Sequence, residues 1–160
     1  MRVGIGFDTH RFTFGRPLIL AGVKVPFSLG LAGHSDADVI THAVIDALFG
    51  SIAAGDIGDH FPDTDEKYKG ISSIKLLQET GKFIEAKGYE LVNLDVMALL
   101  EEPKLAEYRE EMRRGLADAL GIDKTLISIK ATTTEGLGFT GRGEGIAAQA
   151  VVLVEKKGEG

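Results

Sequence analysis

Apolar and polar positions begin the chain with a period of two and later shift to a period near 3.6. Val3 to Phe7 alternates large apolar residues with glycine, which predicts a strand running into Asp8-Thr9-His10. Leu18-Ile19-Leu20 and Val23-Lys24-Val25 flank Ala21-Gly22, the pattern of a short hairpin, and Gly30 to Gly33 reads as a loop. Val39, Ile40, Ala43, Ala47 and Leu48 recur at helical spacing. They predict a helix with Ser35 as N-cap and Asp38 as its capping-box partner, ending near Ser51 to Gly55. Asp56 to Gly70 is a polar loop, long enough to be functional. Ile71 to Ala86 predicts a second amphipathic helix stopped by Gly88, and Tyr89 to Leu100 a central strand. Pro103 opens a third helix to about Leu120, with Gly121 as its stop. Leu126 to Thr132 and Ile146 to Glu155 read as strands around a Gly/Thr-rich loop, Thr133 to Gly145. No repeat or linker divides residues 1–160, so the expectation is one α+β domain (an α/β sandwich). It has a mixed four-stranded sheet, helices mainly on one face, and a small N-terminal hairpin.

Composition narrows the chemistry. The chain has no cysteine, which excludes thiolate catalysis and disulfides, so any metal must be held by His, Asp and Glu. A formal net charge of -6 argues against a nucleic-acid partner. No apolar run approaches the roughly 20 residues that span a bilayer, so no membrane association is expected. Met1-Arg2 leads straight into strand-like residues without signal or transit features. The expected location is the cytoplasm, or the plastid stroma if a leader was removed. Glycine accounts for 21 of 160 residues, about twice the usual ~7%, and gathers at turns and one loop.

Three residues carry the strongest chemical signal. Residues two apart on a strand share a face, so Asp8 and His10 can converge on one point. One imidazole from a facing helix, His42, completes an N/N/O set of the kind that holds catalytic zinc with a fourth position open. Asp38 and Asp46 lie one helical turn from His42 on either side, and Asp46 is the candidate acceptor for its second ring proton. A helix-surface ion pair would explain Asp46 equally well. His34-Ser35, at the expected helix start, forms a candidate anion site. Asp56, Asp59, Asp63 and Asp65 crowd one loop, either as a solvated turn or as a binder of sugar hydroxyls or a divalent ion. Thr132-Thr133-Thr134-Glu135 and the following glycines suit phosphate and Mg²⁺ binding, or form a plain connection; the Walker order is absent.

Together these segments resemble the 2-C-methyl-D-erythritol 2,4-cyclodiphosphate synthase family along essentially the whole chain. The resemblance rests on Gly6-Phe7-Asp8-Thr9-His10, His34-Ser35-Asp36-Ala37-Asp38, His42-Ala43, Gly55-Asp56-Ile57-Gly58, Phe61-Pro62-Asp63-Thr64-Asp65 and Lys130-Ala131-Thr132-Thr133-Thr134-Glu135. The run Leu137 to Gly145 completes it. It implies a phosphorus-oxygen lyase that cyclises 4-diphosphocytidyl-2-C-methyl-D-erythritol 2-phosphate with release of CMP, in non-mevalonate isoprenoid biosynthesis. It further implies one Zn²⁺ per subunit on Asp8, His10 and His42, Mg²⁺ or Mn²⁺ on Glu135, and His34 and Thr133 as catalytic groups. Methylerythritol phosphate is expected near Asp8, His10, His34, Ser35 and Phe61, Pro62, Asp63, Thr64 and Asp65, and the ribose on Asp56, Ile57 and Gly58. The cytosine is expected along Leu100, Pro103, Lys104, Leu105 and Ala106 with Ala131 to Thr134. The family is a homotrimer with sites between subunits, and Phe139, Arg142 and Glu144 match an axial cavity for isoprenoid diphosphates. Two departures stand out: Glu101-Glu102 adds charge near the base segment, and Gly136 replaces a frequent lysine. A zinc phosphohydrolase and a trimeric isoprenoid-binding protein are the rival readings.

Overall fold

Strand β1 (Arg2–Thr13) turns Gly4 and Gly6 toward helix α1 (Val39–Ser51). A Cβ at Gly4 would sit 1.9 Å from the Ala47 carbonyl oxygen, and one at Gly6 1.9 Å from that of Ala43. No side chain fits at either position, so the helix backbone lies directly on the strand. The alternation read from Val3 to Phe7 is therefore real, but its faces are inverted. Glycine occupies the covered face, while Val3, Ile5 and Phe7 remain 67%, 63% and 57% exposed.

The computed structural model describes residues 1–158. Strands β4 (Gly30–Leu31), β5 (Tyr89–Leu99), β6 (Ile127–Thr132) and β7 (Gly145–Lys156) join β1 in one mixed sheet, ordered β4-β1-β7-β5-β6. β2 (Leu18–Leu20) and β3 (Val23–Val25) form the expected hairpin. The sheet has five strands instead of four. β1 continues to Thr13, and its last two residues pair with Gly30 and Leu31, a segment too short for periodicity to reveal. β5 and β6 run parallel because the connection between them crosses over through α4 (Arg109–Leu120). Helices α1, α3 (Ser73–Ala86) and α4 pack on the same face of the sheet. Ile146, Ala148, Ala150, Val152 and Val154 of β7 meet them from below, as a buried strand must. Two further helices, α2 (Ile57–His60) and α5 (Gly138–Gly141), interrupt segments expected to be loops.

Three helix starts lie later than the sequence suggests: α3 opens at Ser73 rather than Ile71, and α1 and α4 are delayed further. Ala37 has φ +58°, which no right-handed helix accommodates, so α1 cannot include it. Its N-cap is Asp38 rather than Ser35. The fully buried Asp38 carboxylate accepts from Thr41 N at 3.0 Å and Thr41 Oγ1 at 2.7 Å. It also accepts from Ala21 N at 2.9 Å and Gly22 N at 2.7 Å. One side chain thus caps α1 and ties the hairpin turn to it. Asp38→Ala strands these donors and is expected to cost about 3–5 kcal/mol in denaturant melts at fixed protein concentration. A loss under 1 kcal/mol would overturn that role. Pro103 likewise does not open α4: residues 101–108 form a turn that buries Leu105, and Arg109 starts the helix.

Candidate active site

Asp8 and His10 stand on the covered face of β1, and His42 descends to them from α1. The close approach allowed by Gly4 and Gly6 is what makes them meet. His10 Nε2 lies 3.0 Å and His42 Nδ1 3.1 Å from Asp8 Oδ2, with 3.2 Å between the two nitrogens. Among the described residues this is the one group of three or more His, Asp or Glu placed to share a metal ion. Ligand atoms bound tetrahedrally at about 2.0–2.1 Å lie about 3.3–3.4 Å apart, so the cluster fits zinc with little adjustment. Burial pushes the Asp8 carboxyl up, but hydrogen bonds and charge from His10 and His42 outweigh it and hold it at about 2. For His10, burial acts downward, yet Asp8 and the Ala32 carbonyl raise it above the ordinary histidine value.

The outer ring nitrogens are held differently. His10 Nδ1 donates to the Ala32 carbonyl at 2.6 Å, leaving Nε2 for a metal. The acceptor expected for His42 was Asp46, but Asp46 Oδ1 accepts from Ile57 N at 2.8 Å and makes no hydrogen bond with the ring. The i+4 spacing measures reach only, and the unpaired amide of α2 competes for the carboxylate. His42 Nε2 instead meets Ser73 Oγ at 2.8 Å and Ser35 Oγ at 3.1 Å.

A cavity of about 480 Å³ opens on this cluster. Asp8, His10, His34, Ser35, His42, Ile57, Gly58, Phe61, Pro62, Asp63 and Thr64 line it, joined by Tyr68 and Leu76, which no motif marked. The acidic loop is pinned to itself. Asp56 and Asp59 form a reciprocal capping box on α2, and Asp65 caps the next turn at Lys67 N. His60, also unmarked by the sequence, stacks on Phe49 at 3.8 Å and donates to the Ala54 carbonyl at 2.8 Å, anchoring the loop to the core. His34 Nε2 reaches the Asp65 carbonyl at 3.3 Å.

Thr133, Glu135 and the segment 100–106 are absent from that cavity. Asp8 pairs with Ala148, Ala148 with Ala98, and Ala98 with Ala131, so all four lie at one level of the sheet. Three strand spacings, about 14 Å, separate the metal cluster from the end of β6. Thr133 Oγ1 lies 3.4 Å from Glu135 Oε1, in a turn where Glu135 and Gly136 have φ +53° and +77°. Glu101 Oε1 accepts from Thr134 N at 3.1 Å and Gly136 N at 3.3 Å. The added charge of Glu101 therefore serves to hold this turn. Phe139 and Glu144 line a second groove of about 990 Å³ with Arg11, Phe12 and Phe14, which shares His10 and Gly33 with the first cavity, and Arg142 Nε pairs with Glu144 at 2.8 Å.

The family profile described as the YgbB family matches residues 1–155. The chain belongs to the YgbB family. A relative from Alkaliphilus metalliredigens, named 2-C-methyl-D-erythritol 2,4-cyclodiphosphate synthase, is 60% identical over 154 residues, 96% of this chain and 97% of its own. The structure of the bifunctional IspDF from Campylobacter jejuni superposes with a TM-score of 0.94 at 42% identity. It matches 97% of this chain, which spans 42% of that longer protein. The Plasmodium falciparum IspF–CDP complex has a TM-score of 0.86 at 30% identity, covering 98% and 96% of the two chains. The YgbB match takes in every site segment described above. No helix among the described residues is long and apolar enough to cross a membrane.

Proposed function

We propose that this chain is a zinc-dependent 2-C-methyl-D-erythritol 2,4-cyclodiphosphate synthase acting in the cytoplasm on 4-diphosphocytidyl-2-C-methyl-D-erythritol 2-phosphate. The Asp8, His10 and His42 cluster, opening on a cavity in a member of the YgbB family, carries the reading. In the reaction an oxygen of the substrate's 2-phosphate bonds to the β-phosphorus. The bond from that phosphorus to the bridging oxygen breaks, and CMP leaves with the electron pair. The nucleophile is already ionised and tethered, so the protein needs no Ser, Cys or Lys nucleophile and contributes positioning and charge neutralisation. Zinc bound by Asp8, His10 and His42 supplies Lewis-acid polarisation of a phosphate oxygen. Glu135 holds the second divalent ion, Mg²⁺ or Mn²⁺. His34 and Ser35 with Phe61 to Asp65 bind the methylerythritol phosphate, while Asp56, Ile57 and Gly58 meet the ribose. Leu100 to Ala106 and Ala131 to Thr134 receive the cytosine.

The two halves meet between subunits of a homotrimer. Two features support this arrangement: the ~14 Å between them in one chain, and a bare sheet face on which Val3, Ile5, Phe7 and Val151 stand exposed. The groove beside Phe139 and Glu144, with Arg142 at its edge, is read as the axial site for an isoprenoid diphosphate. Absence of binding in a farnesyl diphosphate titration would remove that assignment.

Phosphorus NMR of the protein with substrate, Zn²⁺ and Mg²⁺ tests the function. CMP and a cyclic diphosphate, suppressed by chelator, are expected; inorganic phosphate would mean a hydrolase, and unchanged substrate a binding protein. Thr133→Ala is expected to lower kcat about 10²–10³-fold with little change in KM, the cost of one directed donor to the transition state. A rise in KM at constant kcat would instead place Thr133 in ground-state binding.

A further inference from the structure

We propose that Ser73, backed by Asp36, is the positioning residue that fixes the His42 imidazole in the tautomer presenting Nδ1 to the metal. This rests on the reading of Asp8, His10 and His42 as a metal centre. Ser73 is fully buried at the first turn of α3, and its Oγ lies 2.8 Å from His42 Nε2. The hydroxyl has one proton, and that proton is committed to Asp36 Oδ1. Ser73 Oγ therefore faces His42 as an acceptor, and the ring must carry its proton on Nε2. Nδ1 is then the ring atom left to face the metal position, 3.1 Å from Asp8 Oδ2 and 3.2 Å from His10 Nε2.

Asp36 is itself held from several sides. Its Oδ2 accepts from Ser73 N at 3.0 Å, its Oδ1 from Asp38 N at 3.2 Å, and its own N–H donates to the Ile71 carbonyl. The carboxylate thus caps α3 while it orients the hydroxyl. Ser35 Oγ, the other neighbour of Nε2, already accepts from Ala37 N at 3.1 Å and lies farther from the ring. The two metal-facing histidines are therefore set by different devices. His10 leans on a backbone carbonyl, and His42 on a serine–carboxylate relay that joins the first turn of α3 to the first turn of α1.

The relay can be cut without cutting the cap, because Ser73→Ala removes the hydroxyl and keeps the N–H bonded to Asp36. Zinc affinity of the full-length protein, measured by competition with a chromophoric chelator, is expected to fall about 10–100-fold in Ser73→Ala. The Co²⁺ d–d spectrum should shift, and the loss of zinc affinity should exceed any loss of stability in the metal-free protein. Unchanged zinc affinity would overturn the proposal, as would a loss matched by an equal fall in metal-free stability. If Ser35→Ala weakens zinc and Ser73→Ala does not, Ser35 is the acceptor and the proposal fails. Should Ser73→Ala not fold, Asp36→Asn carries the same test, with weaker zinc binding expected and wild-type binding overturning the relay. Wild-type protein titrated in parallel separates the two readings. No His42-dependent zinc site there overturns the metal centre itself, whereas tight wild-type binding with an unaffected Ser73→Ala overturns the relay alone.

Discussion

His42→Ala is expected to leave a folded chain that retains no zinc and turns over at least about 10³-fold more slowly. The magnitude follows from the several kcal/mol that a Lewis acid contributes to a phosphoryl transition state, at ~1.4 kcal/mol per tenfold in rate. Two ligands remain after the substitution, Asp8 and His10, and they already pair at 3.0 Å. The vacated position lies at a cavity wall rather than in the core, and alanine favours the helix it joins. Metal content, circular dichroism and product formation by phosphorus NMR check the three parts of this expectation. Full turnover in the zinc-free variant would remove the metal from the chemistry.

Gly6→Ala should damage the fold and the site together. The added Cβ meets the Ala43 carbonyl oxygen at 1.9 Å, where real contacts stay beyond 3.0 Å, so α1 must move outward by roughly 1 Å or more. Overpacking typically costs about 1–3 kcal/mol; with backbone on both sides the expected loss is about 3 kcal/mol or more. The same movement carries His42 away from Asp8, and metal sites tolerate only about 0.5 Å of misplacement. Zinc affinity is therefore expected to fall alongside the melting temperature. Gly50→Ala is the control on the same helix. Its Cβ would meet only the Ile5 carbonyl at 3.8 Å, so stability should hold or rise by up to about 1 kcal/mol. Wild-type stability in Gly6→Ala would show that the strand and helix are not in backbone contact.

The convergence of Asp8, His10 and His42 was legible because each of these residues sits on a strong local pattern. Asp8 and His10 share a face by the strand period, and His42 lies on an unmistakable apolar helix. The partner of His42 was not legible. Asp46 stands at the right spacing, but the amide of Ile57 claims its carboxylate, while Ser73 arrives from 31 positions away on another helix. The start of α1 failed for a related reason. Ser35 has good capping chemistry, yet the left-handed Ala37 delays the helix, and Asp38 is held by the hairpin turn as well as by Thr41. His60 escaped notice because its value comes from stacking on Phe49, a contact no linear motif encodes.

By itself, the sequence determined the order of the long strands and helices, the cysteine-free N/N/O candidate ligand set and membership of the YgbB family. These depend on short-range periodicity, on residue type, and on motifs that follow one another along the chain. Tertiary structure decided which face of β1 is covered, which carboxylates cap helices, and which acceptor holds His42. It also set the three strand spacings, about 14 Å, between the Asp8 cluster and the end of β6. Those outcomes depend on which distant groups compete for the same donor or the same space, and that competition exists only once the chain has closed on itself.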